Sequence, residues 1–471
     1  MNKYKNLLIN IAVFTITTVA TKLTTFLLVP LYTYYLTAAE YGISDMTTLV
    51  IGIIMPLGTF AIGDAVLRFM IDDKQDSREI ASIGVAITCL SCLVVLLLLP
   101  LLELPMFGGL GEYRWLFLLS YIVYAFQDLF SRIARGANQL RLITVASTAS
   151  ALCTAVCAVL FIAFLGRGLD GFYYSYIAGS LLGSLIFLSV GRHYRYLRLV
   201  TWTTAERLLR RMLPYALPLI PNNVLWMFNT SVNRLFITSM LGIAASGIFA
   251  ASYKIPNLLN MLYSIFFQAW TLSSFQEYRK SNVDRFFSIV FTLLNALLTI
   301  VGSLIILLSP WLAYWFLQKD FYQGWVYMPI LIFALYFNSL SSFYGSAYTM
   351  VMKTRLILIS TVASALICLA GTWFFIPYIG LYGAAIAMLF SNITLLLIRI
   401  ICSQQFIHIA IPKWKTSLTL CVLTIQVFTM TLQIPHYIEI SSLCFVFIIA
   451  IQIIVTFPLG KEIIQYWKIV R

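Results

Sequence analysis

Charge is scarce in this chain and histidine nearly absent. Only 10% of its 471 residues are Asp, Glu, Lys or Arg and three are His, whereas water-soluble domains carry about 25% charged residues. A soluble fold of this length could not hide a composition that is 61% hydrophobic. No Walker A loop, H-E-x-x-H or G-x-S-x-G occurs, so phosphate-cradling, zinc-hydrolase and nucleophile-elbow chemistries have no carriers. His193, His408 and His436 lie far apart and make no ligand pattern. The eight cysteines are scattered through apolar stretches, and the C-x-x-C of Cys89 and Cys92 sits inside ASIGVAITCLSCLVVLLLL. That run lacks the polar, accessible setting that redox or metal chemistry needs. No metal, cofactor or enzymatic activity is expected.

What the chain has is apolar sequence in long runs. A spanning helix needs about 20 mostly apolar residues. Fourteen candidate spans centre near residues 21, 55, 90, 123, 153, 180, 225, 258, 297, 338, 366, 391, 424 and 448. The expected fold class is an all-α integral membrane protein. The net charge of +14 would suit nucleic acid, but the bases are not gathered on one polar domain, and membrane topology accounts for them better. With both termini inside, 25 of the 31 Lys and Arg fall in cytoplasmic segments, and only Arg114, Arg167 and Lys319 fall outside. The remaining three, Lys22, Arg234 and Lys254, fall within spans. The start, MNKYKNLLINIAVFTITTVA, reads as a span rather than a cleaved signal peptide, because apolar sequence continues past Lys22 to Leu36. The longest polar stretch, RHYRYLRLVTWTTAERLLRR at 192–211, is too short for a catalytic domain. GSLLG at 179–183 matches a small-xxx-small helix-packing pattern and implies packing alone.

The chain also repeats itself. RLITVASTASAL (141–152) and RLILISTVASAL (355–366) agree at 7 of 12 positions, 214 residues apart. LTAAEYGIS (36–44) echoes LGIAASGIF (241–249), and GLDG (168–171) echoes GLYG (380–383), at offsets of 205 and 212. Short apolar phrases recur by chance in a biased composition, but three echoes in one order at similar offsets point to a parallel repeat. The expected organisation is an N-terminal six-helix lobe (1–200), a C-terminal six-helix lobe (201–405), and two additional helices with a short cytoplasmic tail (406–471). Such lobes are related by a pseudo-twofold along the membrane normal, with the site between them near the midplane.

A cation at the bilayer centre costs roughly 2.5–3.5 kcal/mol on insertion scales, so intramembrane charges usually face a wet interior. Thr15, Thr18, Lys22 and Thr25 share one helical face of the first span. Asn223, Thr230 and Arg234 form a similar stripe beside Asn222, Asn229 and Asn233, and Lys254, Asn257, Ser264 and Gln268 form a third. Cavity lining competes with interhelical structural pairing for the three cations; a net basic cavity would take an anion. Asp64 and Asp128 each precede an arginine, Arg68 and Arg132, by four residues. That spacing fits an interfacial salt bridge as well as a coupling role.

The runs KLTTFLLVPLYTYYLTAAEYGISDM (22–46), AVLRFM (65–70) and LGIAASGIFAASYKIPNLL (241–259) resemble the Wzx-type polysaccharide flippases of the MOP superfamily. The resemblance covers most of the chain. It implies translocation of a polyprenyl-pyrophosphate-linked oligosaccharide across the bacterial inner membrane by alternating access, for O-antigen, capsule or exopolysaccharide. It places Lys22, Arg68, Arg234 and Lys254 on cavity-lining helices. It also implies membrane lipids, a polysaccharide polymerase and chain-length machinery as partners. One departure is Asn233, where relatives often carry an acid just before the span-seven arginine; it puts ion coupling at that position in doubt. Physics agrees, since each unsatisfied glycan hydroxyl in hydrocarbon costs on the order of several kcal/mol and a pyrophosphate needs cations. A MATE-like exporter of organic cations would favour intramembrane acids, and a polymerase would show a large external loop, whereas the external loops here are short.

Overall fold

The computed structural model describes residues 21–470 apart from 73–75, 197, 199, 222, 225–232, 278–282, 352 and 411. All regular structure among the described residues is helical. Among the described residues ten helices are long and apolar enough to cross a membrane, and the chain is a multi-pass membrane protein. The expected spans near 21 and 225 lie largely outside the described residues. Near 258 the chain forms two helices, Ile243–Lys254 and Asn257–Glu277, parted at Pro256, which has no N–H to give and blocks a continuous ladder. The segment near 424 is helical over Lys413–Thr431 but is not among the ten that meet the length and apolarity criterion.

The chain divides into two compact units, residues 1–250 and 251–471. The first holds α1 (Val29–Tyr35), α2 (Ala38–Gly58), α3 (Ile62–Asp72), α4 (Ser77–Leu98), α5 (Arg114–Gly136), α6 (Leu140–Ala158), α7 (Gly168–Ser189), α8 (Trp202–Ala216), α9 (Asn233–Leu241) and most of α10 (Ile243–Lys254). Compactness draws its line fifty residues beyond the repeat boundary because α9 and the start of α10 pack on residues 38–42 and 105–108.

These helices are turned inside out relative to soluble ones. On α4, Leu90, Leu93 and Leu97 point outward while Gly84, Thr88 and Ser91 are buried, because lipid is as apolar as leucine and close helix approach rewards small residues. The buried hydroxyls are bonded, Ser91 to the Tyr121 hydroxyl and Thr47 to the Tyr173 hydroxyl at 2.7 Å. The start of α2 is fixed by a capping box: Thr37 accepts from the Glu40 N–H, and Glu40 accepts from the Thr37 N–H at 2.8 Å. Helix α8 is amphipathic, with Leu208, Met212 and Ala216 buried and Trp202 exposed. Arg207 faces Asp76 at 3.7 Å and Arg210 faces Glu206 at 2.7 Å, as suits a helix lying along an interface. Just before it His193 is fully buried against Phe187, Phe130 and Tyr196, with Nε2 3.0 Å from Gln139 Oε1. Burial pushes its pKa down from 6.5 to about 4.

The second unit contains α11 (Asn257–Glu277), α12 (Val283–Phe316), α13 (Met328–Met350), α14 (Thr354–Ile379), α15 (Leu381–Ser403), α16 (Lys413–Thr431) and α17 (Tyr437–Val470). The echoed phrases build the same hairpin in each unit. Gly168 and Gly380 both take positive φ, 51° and 58°, a conformation that suits glycine. Three residues on, Gly171 and Gly383 each lie where a Cβ would strike the preceding helix, 3.1 Å from Phe161 C and 2.6 Å from Phe375 C.

Candidate functional site

The break between α2 and α3 builds the site. Pro56 lies inside the last turn of α2 and has no N–H to give its ladder, Thr59 Oγ1 donates to Met55 O at 2.7 Å, and Phe60 and Ala61 turn through the left-handed region at φ 53° and 50°. Non-glycine residues seldom adopt that conformation, and where they do it often marks function. The turn divides the unit's two apolar clusters, one around Met46, Phe117 and Tyr121, the other around Val66, Leu129 and Phe187. A cavity of about 500 Å³ opens beside it, lined by Thr59, Asp64, Tyr124, Asp128, Arg132 and Asn223 among others.

Its charges form a triad. Arg132 Nη1 donates to Asp64 Oδ1, and Arg132 Nε lies 3.4 Å from Asp128 Oδ2. Two carboxylates thus share one guanidinium, all three less than a third exposed. The expected Asp128–Arg132 pair is present. The expected Asp64–Arg68 pair is not: Arg68 faces the surface and binds Asp72 at 3.1 Å, because a residue four positions onward on an exposed helix is as near as one four positions back. Asp64 is left to Arg132, 68 residues away in sequence.

Arg234 is held by a residue that sequence reasoning missed. Its Nη1 lies 2.5 Å from Asp45 Oδ2, with side-chain exposures of 12% and 7%. Asp45 sits inside the quoted run ending GISDM, but nothing in a linear reading ties it to a partner 189 residues away. Lys22 is exposed and Lys254 half-buried. Of the expected polar stripes, Thr15, Thr18, Asn222, Asn229 and Thr230 lie outside the described residues, and so does the side chain of Gln268.

The second unit has its own buried cation. Arg399 is 7% exposed in α15 and donates to Ser341 O at 2.9 Å, Ser360 Oγ at 3.3 Å and Thr361 Oγ1 at 3.4 Å. No carboxylate lies within salt-bridge distance among the described residues. The charge asymmetry puts this arginine in a cytoplasmic segment, whereas it lies buried in the last turns of its helix, satisfied by neutral oxygens.

Comparison with known proteins identifies the family and the fold. A family model described as polysaccharide biosynthesis protein matches residues 7–276. A solved lipid II flippase, MurJ, in an inward closed conformation is similar over 96% of this chain and 99% of its own, with a TM-score of 0.70 at 15% identity. A multidrug resistance MATE family transporter of the MOP superfamily, in its inward-facing conformation, is similar over 83% and 94% of the two chains, with a TM-score of 0.61 at 15% identity. An outward-facing MATE structure gives a TM-score of 0.57 at 18% identity over 84% and 94%. No curated protein matches. These solved neighbours are flippases and transporters, not enzymes.

Proposed function

Because the chain belongs to the polysaccharide biosynthesis protein family, we propose that it is a flippase for polyprenyl-pyrophosphate-linked oligosaccharides in the bacterial inner membrane. The observation that carries the reading is the hydrogen-bonding cavity of about 500 Å³ inside an otherwise apolar unit of such a chain. A hydrated glycan needs a polar route through hydrocarbon, while its lipid tail can stay in the bilayer. On this reading the lobes 1–200 and 201–405 alternate access, both termini are cytoplasmic, and Lys22, Arg234 and Lys254 supply positive charge to the pyrophosphate, while Arg68, paired with Asp72 at the surface, is not counted with them. Asp64, Asp128 and Arg132 are the groups through which a coupling cation would act. A lipid-linked cargo is also what the structurally similar lipid II flippase handles. A polymerase and chain-length machinery would receive the product.

The second reading, a MATE-like exporter, is favoured by one observation, the excess of carboxylate over guanidinium in the triad. Complementation separates them. In a flippase-null host the chain restores surface polysaccharide under the first reading; under the second it confers export of a cationic dye and restores no glycan.

A further inference from the structure

LTAAEYGIS and LGIAASGIF do more than echo each other; they touch. A Cβ on Gly42 would lie 2.3 Å from the Ile243 carbonyl oxygen, and a Cβ on Gly247 would lie 2.0 Å from the Ala38 carbonyl oxygen. At the offset of 205, Ile243 is the counterpart of Ala38, and Gly247 that of Gly42. The contact is therefore reciprocal, each segment setting a glycine against the other's first-turn carbonyl, as a twofold between like elements demands. A chance echo has no reason to seat counterparts on each other in this way.

Three further features belong to the same contact. The turn Pro105–Phe107 closes over it, with the Cβ position of Gly108 2.8 Å from Thr238 Cγ2 and 2.7 Å from Ile243 Cβ. Asp45, one turn along α2 from Gly42, joins the same two segments through Arg234. Asn233 Oδ1 and Thr238 Oγ1 are buried there with no hydrogen-bond partner among the described residues. A buried group without a partner calls for an explanation, and a state in which water reaches it supplies one.

We infer that this contact is a gate between the repeats, closed in this structure and opening outward, since the expected topology puts the chain near residues 38, 108 and 242 at the external side. Residues 38–45 and 234–247 separate during transport, and Asp45 is the counter-charge that holds Arg234 while the gate is shut and yields it to an anionic cargo when it opens. The glycines let two backbones meet so closely that even a methyl group would force them apart by about 1 Å, where small residues normally permit close helix approach. The pairing shifts the equilibrium because it exists in one state only. The inference rests on the alternating-access part of the proposed function and not on the identity of the cargo.

The test is labelling of Thr238→Cys by a membrane-impermeant maleimide in intact cells, with the same chain lacking that cysteine as background. Labelling of the otherwise unchanged chain should be low and should rise on the order of threefold or more in Gly42→Ala and in Gly247→Ala, as the open population grows. Asp45→Asn preserves the packing volume and should raise labelling as well, which covers the case in which the alanine variants fail to insert. Unchanged labelling in inserted Asp45→Asn protein, or labelling confined to inside-out vesicles, overturns the gate. The readout uses no glycan, so failure of the flippase reading and failure of the gate are told apart.

Discussion

Removing Arg234 should cost far more than removing Arg234 and Asp45 together. The pair lies at 2.5 Å with exposures of 12% and 7%, so truncating one partner removes this counter-charge from a group that water scarcely reaches. Breaking such a buried pair costs about 3–5 kcal/mol, while replacing both partners by apolar residues of similar volume is near neutral. Arg234→Met and Asp45→Leu should each destabilise by about 3 kcal/mol or more, and the double variant should return to within about 1 kcal/mol of the parent. The assay is equilibrium unfolding of purified protein in mixed detergent and SDS micelles, read by the fluorescence of its 10 tryptophans. Single variants within about 0.5 kcal/mol of the parent would refute the reasoning, since that is the scale of an exposed pair.

Thr37→Ala removes the capping box of α2 and should lower stability by about 1 kcal/mol in the same unfolding assay. His193 has its folded pKa depressed from 6.5 to about 4, so the unfolded chain binds the proton more readily. Stability from this group is full above about pH 6.5 and falls as pH drops towards 4, by on the order of 2–3 kcal/mol; melting at pH 7.5 and pH 5 should show a smaller difference in His193→Gln than in the parent. Arg132→Gln leaves Asp64 and Asp128 without their shared cation and should abolish surface glycan at a normal level of membrane-inserted protein. Lys22→Ala should do the same while Lys22→Arg keeps partial activity, with surface polysaccharide and immunoblot as the paired readouts.

The helices were legible because span length and apolarity are local, and GLDG and GLYG marked the same glycine-dependent hairpin twice. Pairing was not. Arg68 has acids four residues to either side, and nothing local decides between Asp64 and Asp72; the choice falls to Arg132, which claims Asp64 from another helix. Asp45 is illegible in the sequence for a similar reason, since its partner lies on a helix far along the chain. The break at Pro256 was readable in principle, but the apolar residues around it masked the helix boundary.

The central claim is tested most directly in proteoliposomes that hold only this protein and a polyprenyl-pyrophosphate-linked oligosaccharide confined to the inner leaflet. The account predicts that the glycan becomes accessible to an external, impermeant glycosidase over time, and that Arg132→Gln proteoliposomes keep it protected. Glycan that stays protected in vesicles whose protein is folded, while a cationic dye is transported, would contradict it.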